Sequence, residues 1–440
     1  MKELLKKTNW KVIGCVIVFI VCMYRVSFAD TSNNKYVELN SNQTLEKQLL
    51  YPNTIYEIRA TVKLDSDFKI PNNCTLLFNG GSIEGSHKLY GDNTQIRAGE
   101  YDVIFKDVIC IGKWHCEKAS ICWWGAQDSY KIAANGHGYL ADLACDNAIN
   151  LCMQSSIPAV YFPIGCWYIT KTIRVTSHKD FFLAGGPSIK SYYLKGLVYE
   201  NNIQAATIYT DQNIKVFSIC FSGEDVINIC GGSLDVSQVY YKNNGIYDES
   251  AIYFDVSNGS RIIQAFISTH MINYQDEDTF FKNNSRGVLF HVSGSTYSFA
   301  MGVTIECKIN GFSTGIETLQ DDDANKDSWV TDLQLNSYIR KARTAIKLPI
   351  GDGTHIGGSL QSTRFFDNEG GIKDKDNYPF VDVSCRFVRI DASIWDVHSQ
   401  KNGKWSNSVA IIIRGKKNTC NIDESIVALY GPKNALVFPK

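Results

Sequence analysis

The heptad "GGSIEGS" (Gly80–Ser86) returns as "GGSLDVS" (Gly231–Ser237) and as "GGSLQST" (Gly357–Thr363). Each copy opens on a glycine pair and continues in strict polar–apolar alternation. That reads as a sharp bend running into a half-buried strand. In the second copy Leu234 and Val236 face a core, and Ser233, Asp235 and Ser237 point out. The inward Ile83, Leu234 and Leu360 hardly change, whereas the outward Glu84, Asp235 and Gln361 do. Function is therefore expected at outward positions and in turns.

A longer repeat surrounds the heptads. In "KINGFSTGIE" (Lys308–Glu317), "YIRKARTAIK" (Tyr338–Lys347) and "RFFDNEGGIK" (Arg364–Lys373), an apolar residue is followed seven places later by isoleucine. The pairs are Ile309/Ile316, Ile339/Ile346 and Phe365/Ile372, in units 30 and then 26 residues apart. Each unit follows another strand pattern. Several short strands per unit at this period indicate a solenoid. The fixed Leu and Asn positions of leucine-rich repeats are missing, and a propeller blade needs a longer period. The expected fold is all-β, a right-handed parallel β-helix with one short helix near 146–155. In "DNAINLCMQS" Ala148, Ile149, Cys152 and Met153 recur at helical spacing, and Asp146 is the expected N-cap.

The chain has 440 residues, 44% of them hydrophobic and 20% charged, which supports a large core. Residues 1–29 read as a signal peptide. Lys2, Lys6, Lys7 and Lys11 precede the apolar "VIGCVIVFIVCMY" (Val12–Tyr24), and "SFA" (Ser27–Ala29) supplies small residues at a cleavage site. An uncleaved anchor is the alternative reading. Export to the periplasm, the cell surface or the medium is expected, without stable membrane insertion. Residues 30–440 are expected to form one domain, with N-terminal β coils over 30–122 and the remaining coils over 123–440. Without residues 1–29 the 44 basic and 45 acidic residues become 39 and 44, a net charge of −5. That argues against nucleic acid as a partner.

Of the 14 cysteines, 12 lie beyond residue 29, scattered through apolar strand patterns, and read as buried free thiols. Cys110, Cys116 and Cys122, beside His115, form a regular triplet whose spacing matches no standard zinc pattern.

The stretch "WGAQDSY" (Trp124–Tyr130), followed by "DNAINLCMQSSIPAVYFPIGCWYITKTIRV" (Asp146–Val175), resembles the entry segment of the pectin-lyase-like superfamily. That group includes pectate lyases, rhamnogalacturonases, mannuronan epimerases and phage tailspike depolymerases. Gly125-Ala126, Ala148-Ile149, Val160, Pro163, Gly165, Tyr168 and Ile169 match its pattern. The Gly-Asp-Gly turn is missing, and Ala144-Cys145-Asp146 stands where Asp-Asp-Thr is expected. The resemblance implies a parallel β-helix that handles a polysaccharide, as a lyase or glycoside hydrolase acting on an acidic or complex glycan. The alternative is a non-catalytic glycan-binding or adhesion protein on the same scaffold. A tailspike-like trimer is a third option, against which the signal peptide speaks.

Hydrolysis needs paired carboxylates. β-Elimination of a uronate needs a base and a cation, often with Ca²⁺ held by acidic side chains. Asp321, Asp322 and Asp323 form the densest acidic cluster and are the candidate catalytic and Ca²⁺-binding group. Arg340 or Arg364 is the candidate base or carboxylate partner. Trp329, Asp235, Lys341, Arg343 and Asp367 are candidate substrate contacts. Solvated surface turns are the plainer reading of these charges. "GHG" (Gly136–Gly138) lacks the companion motifs of polygalacturonases, and His270, His291, His355 and His398 have no legible partners in the sequence.

Overall fold

The computed structural model describes residues 35–129, 138–155, 157–177, 181–185, 206–221, 227–237, 247–274, 284–361 and 380–395, and short strands at 400–401, 404–405, 411–413, 420–422 and 436–437. The expected signal segment, Arg364, Asp367 and the Phe365/Ile372 unit lie outside the described residues. Among the described residues, no helix is long and apolar enough to cross a membrane.

The chain is mostly parallel β-sheet with few helices. Residues 35–115 form a six-stranded sheet and a three-stranded partner. Here the chain returns to the same sheet about every twenty residues, as Ile55 pairs with Thr75 and Thr75 with Gln95. Asn53, Asn73 and Asn93 occupy equivalent turns, all with left-handed backbone (φ 52°, 58° and 56°). Asparagine tolerates that conformation better than most residues. Their amides bond in a ladder, Asn93 Nδ2 to Asn73 Oδ1 at 2.5 Å and Asn73 Nδ2 to Asn53 Oδ1 at 3.1 Å. Glu84, the outward residue of the first heptad, is paired with Lys63 on one side and Lys106 on the other.

A helix at Asp142–Gln154 packs against Ile121–Trp124 and against the strands Ile109–His115 and Ile173–Ser177. It buries Ala144, Cys145, Ala148, Ile149, Leu151 and Cys152. It starts four residues before Asp146, the expected N-cap. Asp142 in its first turn accepts hydrogen bonds from Thr170 N, Thr170 Oγ1 and Lys171 N, and so ties the helix to a strand connection. Asp146 lies inside the helix, where burial and then the Asp142 charge raise its pKa.

Beyond the helix the chain alternates between a fourteen-stranded and a nine-stranded sheet. Three circuits also contribute to a short sheet of Arg261–Ile263, Phe299–Met301 and Trp329–Thr331. Every described pairing is parallel except the hairpin Gln400–Lys401 with Lys404–Trp405. Parallel pairing in register stacks like residues. One column runs Ile208, Leu234, Met271, Ile309, Ile339, Leu360, Ile394. A second runs Ile173, Phe217, Ile252, Val288, Ile316, Ile346, Val381, Ile411, Leu436. The units around Ile309/Ile316 and Ile339/Ile346 are thus in register. Ile339 is followed in its column by Leu360 of the heptad, and Ile346 by Val381.

The second and third heptads sit at the corner of the fourteen-stranded sheet, where its strands bend. At Gly358 φ is +79°, and an added Cβ would lie 2.4 Å from Ser337 O, so only glycine fits that corner.

Ten cysteines among the described residues, Cys110, Cys116 and Cys122 included, form no disulfide. Burial raises the thiol pKa of Cys116 and Cys122 to about 12 and that of Cys110 well above its ordinary value, which keeps them protonated. Among the described residues no group of three or more His, Cys, Asp or Glu side chains is arranged to hold a metal ion. The Cys110–Cys116–Cys122 triplet and the Asp321–Asp323 run therefore form no such cluster.

Candidate functional site

Three successive strands of the nine-stranded sheet build the site: Ser250–Val256, Arg286–Val292 and Thr314–Gln320. Alternate residues enter the core, where the Phe254 and Phe290 rings stack at 4.5 Å and 3°. The intervening residues, Tyr253 and Asp255 beside Leu289 and His291, face outward in register.

On that outer face the Tyr253 hydroxyl lies 2.8 Å from His291 Nδ1, and His291 Nε2 lies 2.8 Å from Asp321 Oδ1. A carboxylate only accepts, so Nε2 carries the proton and Nδ1 accepts from the phenol. The result is a Tyr–His–Asp relay across three strands. Its members grade from the buried Tyr253 (8% exposed) to the Asp321 side chain (41% exposed). Asp321 is set by the sheet's end: its N–H donates to Val292 O at 3.0 Å, and its carbonyl accepts from Ala324 N at 3.1 Å. Burial raises the Tyr253 pKa, and Asp255, Asp321 and Glu249 push it further the same way. The phenol is protonated at neutral pH. Lys215 Nζ stands 4.2 Å from the Tyr253 ring centroid and 4.0 Å from Glu249 Oε2. Ser257 Oγ donates to Asp255 Oδ1 at 2.6 Å.

Such a relay holds one proton on an oriented oxygen and offers it a base. That is the arrangement by which a weakly acidic hydroxyl is made to give and take protons.

The same face carries a second constellation. The buried Glu317 carboxylate accepts from Arg286 Nε at 2.8 Å and from Lys347 Nζ at 2.6 Å. Register places Leu289, Glu317 and Lys347 in one row beyond Tyr253. On the fourteen-stranded sheet His355 Nε2 lies 2.8 Å from Asp391 Oδ1, and Arg389 lies 3.0 Å from Asp391 Oδ2.

No family model, curated protein or solved structure matches the chain.

Of the expected site residues that are described, only Asp321 joins the relay. Asp322 and Asp323 are exposed on the turn that follows it. Trp329 is half-buried and borders a cleft with Gln320, the residue before Asp321. Arg340 ends a strand of the other large sheet, paired with Asn310 and Gln361. Lys341 and Arg343 form the next turn, at the start of the strand Thr344–Leu348, whereas Asp321 follows the far end of its neighbour. The basic turn and the acidic turn are therefore at opposite ends of the sheet. Asp235 pairs through its backbone with Tyr209 and Ile272. Sequence reasoning missed Tyr253 and His291. Setting "AIYFDVS" against "GVLFHVSG" on their apolar positions puts both on the outer face, and that was the available signal.

Proposed function

We propose that the chain is an exported right-handed parallel β-helix of the pectin-lyase-like kind that cleaves a glycan by proton transfer at Tyr253. The observation that carries the reading is the Tyr253–His291–Asp321 relay on the outer face of a parallel sheet. The expected entry segment, the stacked apolar columns and the asparagine ladder support the scaffold. The relay favours β-elimination of a uronate over hydrolysis, because it moves a proton, whereas hydrolysis requires a facing carboxylate pair. As Tyr253 passes its proton to His291, its oxygen takes the proton from the carbon beside the sugar carboxylate. The carbon–oxygen bond to the next sugar breaks and a carbon–carbon double bond forms. Tyr253 then protonates the leaving oxygen and is reprotonated from His291. Lys215 supplies positive charge beside the phenol, and Asp321 holds His291 in the required tautomer.

The test is a panel of acidic and neutral polysaccharides, followed by ultraviolet absorbance of unsaturated uronates and by reducing ends. Unsaturated product that disappears in Tyr253→Phe supports the reading. No product from any polysaccharide, with glycan binding retained, would leave the adhesion protein as the better account.

A further inference from the structure

Phe299 and Trp329 are register partners in the short three-stranded sheet. Their rings stack at 4.7 Å and 14°. The Trp329 indole N–H donates to the Tyr297 hydroxyl at 3.0 Å, which fixes the ring's rotation. Phe299 covers one side of the indole, and Trp329 also borders a cleft of about 660 Å³. That volume is ordinary for a ligand site. Thr331 is bridged to Asp352 of the next circuit, so the stack continues toward Ile350 and Gly351, where no ring follows.

Asp352 and Arg386 also line the cleft. Arg386 donates from Nε (3.0 Å) and from its terminal NH2 nitrogen (2.8 Å) to Asp352 Oδ2, and from its backbone N–H to Oδ1 (2.7 Å). The pair is preformed, yet the Arg386 side chain is 65% exposed. The next residue, Phe387, is 64% exposed and has φ +56°. An aromatic side chain rarely adopts that backbone conformation, and strain of this kind collects at ligand sites. Exposing an aromatic ring in a strained turn has no value to the core.

We infer that this cleft binds an uncharged pyranose unit of the glycan, with its C–H face on Trp329 and neighbouring hydroxyls on Asp352 and Arg386. This rests on the glycan reading above and names the substrate class as a heteroglycan containing neutral sugars. A fixed carboxylate–guanidinium pair offers an acceptor and a donor side by side, which suits two adjacent hydroxyls. The Asp352 charge offsets that of Arg386 and disfavours a sugar carboxylate at the same place. Gln320, which lines the cleft, precedes Asp321 of the relay, so cleft and relay share one turn of chain.

The experiment is calorimetric titration of the full chain with cellohexaose, mannohexaose, galactohexaose and hexagalacturonate at low and high salt. It uses the wild type, Trp329→Ala, Ser384→Trp (which adds bulk to the cleft lining without replacing a ring of the aromatic stack) and Tyr253→Phe. Circular dichroism confirms folding of each variant. The inference expects a neutral hexasaccharide to bind with little salt dependence. Trp329→Ala and Ser384→Trp should each weaken it about tenfold or more, and Tyr253→Phe should leave binding intact. Binding of hexagalacturonate alone, or wild-type affinity in both cleft variants, overturns the inference. If turnover still depends on Tyr253 in that case, the proposed function stands without it. If the wild type neither binds nor cleaves any probe, both fall.

Discussion

Tyr253 and His291 are 38 residues apart in the chain, and their side chains meet at 2.8 Å on neighbouring parallel strands. Nothing local in either strand requires the contact. The register does, because it puts Tyr253 beside Leu289 and Asp255 beside His291. Tyr253→Phe removes only the proton-carrying oxygen. Turnover on a cleaved glycan should fall by about 10²–10⁴-fold with the melting temperature little changed. His291→Ala should fall as far, and Asp321→Asn less. Equal losses of turnover and of folded protein in Tyr253→Phe would make the relay a structural device.

His270 gives a pH dependence of stability. It is 9% exposed, and its Nδ1 has no hydrogen-bond partner among the described residues. Burial, and then the Lys308 charge, lower its pKa from 6.5 to about 4. The unfolded chain therefore takes up a proton that the folded chain refuses. This contribution is whole above pH 6.5, declines as pH falls toward about 4, and is then exhausted. Its full size is on the order of 3 kcal/mol. Denaturant unfolding at closely spaced pH values should show the slope, and His270→Gln should flatten it.

A second window lies lower. Glu57 accepts hydrogen bonds from Tyr36, Asn79 and Arg59, in that order of effect, and its pKa falls from 4.5 to about 2. Its stabilisation is present above pH 4.5 and is lost as pH falls toward about 2. Glu57→Gln should shift acid unfolding of the N-terminal sheets to higher pH and make the transition less steep between pH 4.5 and about 2. An unchanged acid profile would mean that the three bonds are not kept in solution.

Glu317 is the buried member of its cluster, with Arg286 and Lys347 partly in solvent. Glu317→Ala strands two cations and should cost about 3 kcal/mol. Arg286→Met combined with Glu317→Leu should recover much of that, because Glu317 leaves together with the more buried of its two cations, and Lys347, nearly half in solvent, is left to hydrate. Chemical denaturation of the single and double variants measures both. A double variant no more stable than Glu317→Ala would show that packing, not charge, sets the loss.

The parallel β-rich fold was legible in the sequence because in-register pairing repeats apolar residues along the chain. Ile309 and Ile339, and Ile316 and Ile346, were found by spacing and are column neighbours. Spacing did not point to Leu360 and Val381, which follow Ile339 and Ile346 in the columns at other separations. The site was nearly illegible. Outward residues have no partner across a core to make them periodic, so the distances from Tyr253 to His291 and from His291 to Asp321 follow no rule. Asp321 was visible as the densest acidic run, but its role came from a histidine that the sequence left without a partner. The helix was placed correctly and its start was not, because Asp142 is recruited by Thr170 and Lys171, contacts that only the fold creates.

The in-register columns also say what this chain can lose. Lys308 and Tyr338 occupy successive positions of one row, with His270 before them and Ser359 after. Excising residues 308–337 would bring Tyr338 up against His270, and the apolar columns would close over the gap with Ile339 beside Met271. By this register the apolar columns should survive the loss of one whole repeat. The relay should not, since it draws one residue from each of three consecutive circuits and the excised one contains Asp321. Length is thus negotiable for the apolar columns, while the contacts joining Tyr253, His291 and Asp321 are tied to a particular count.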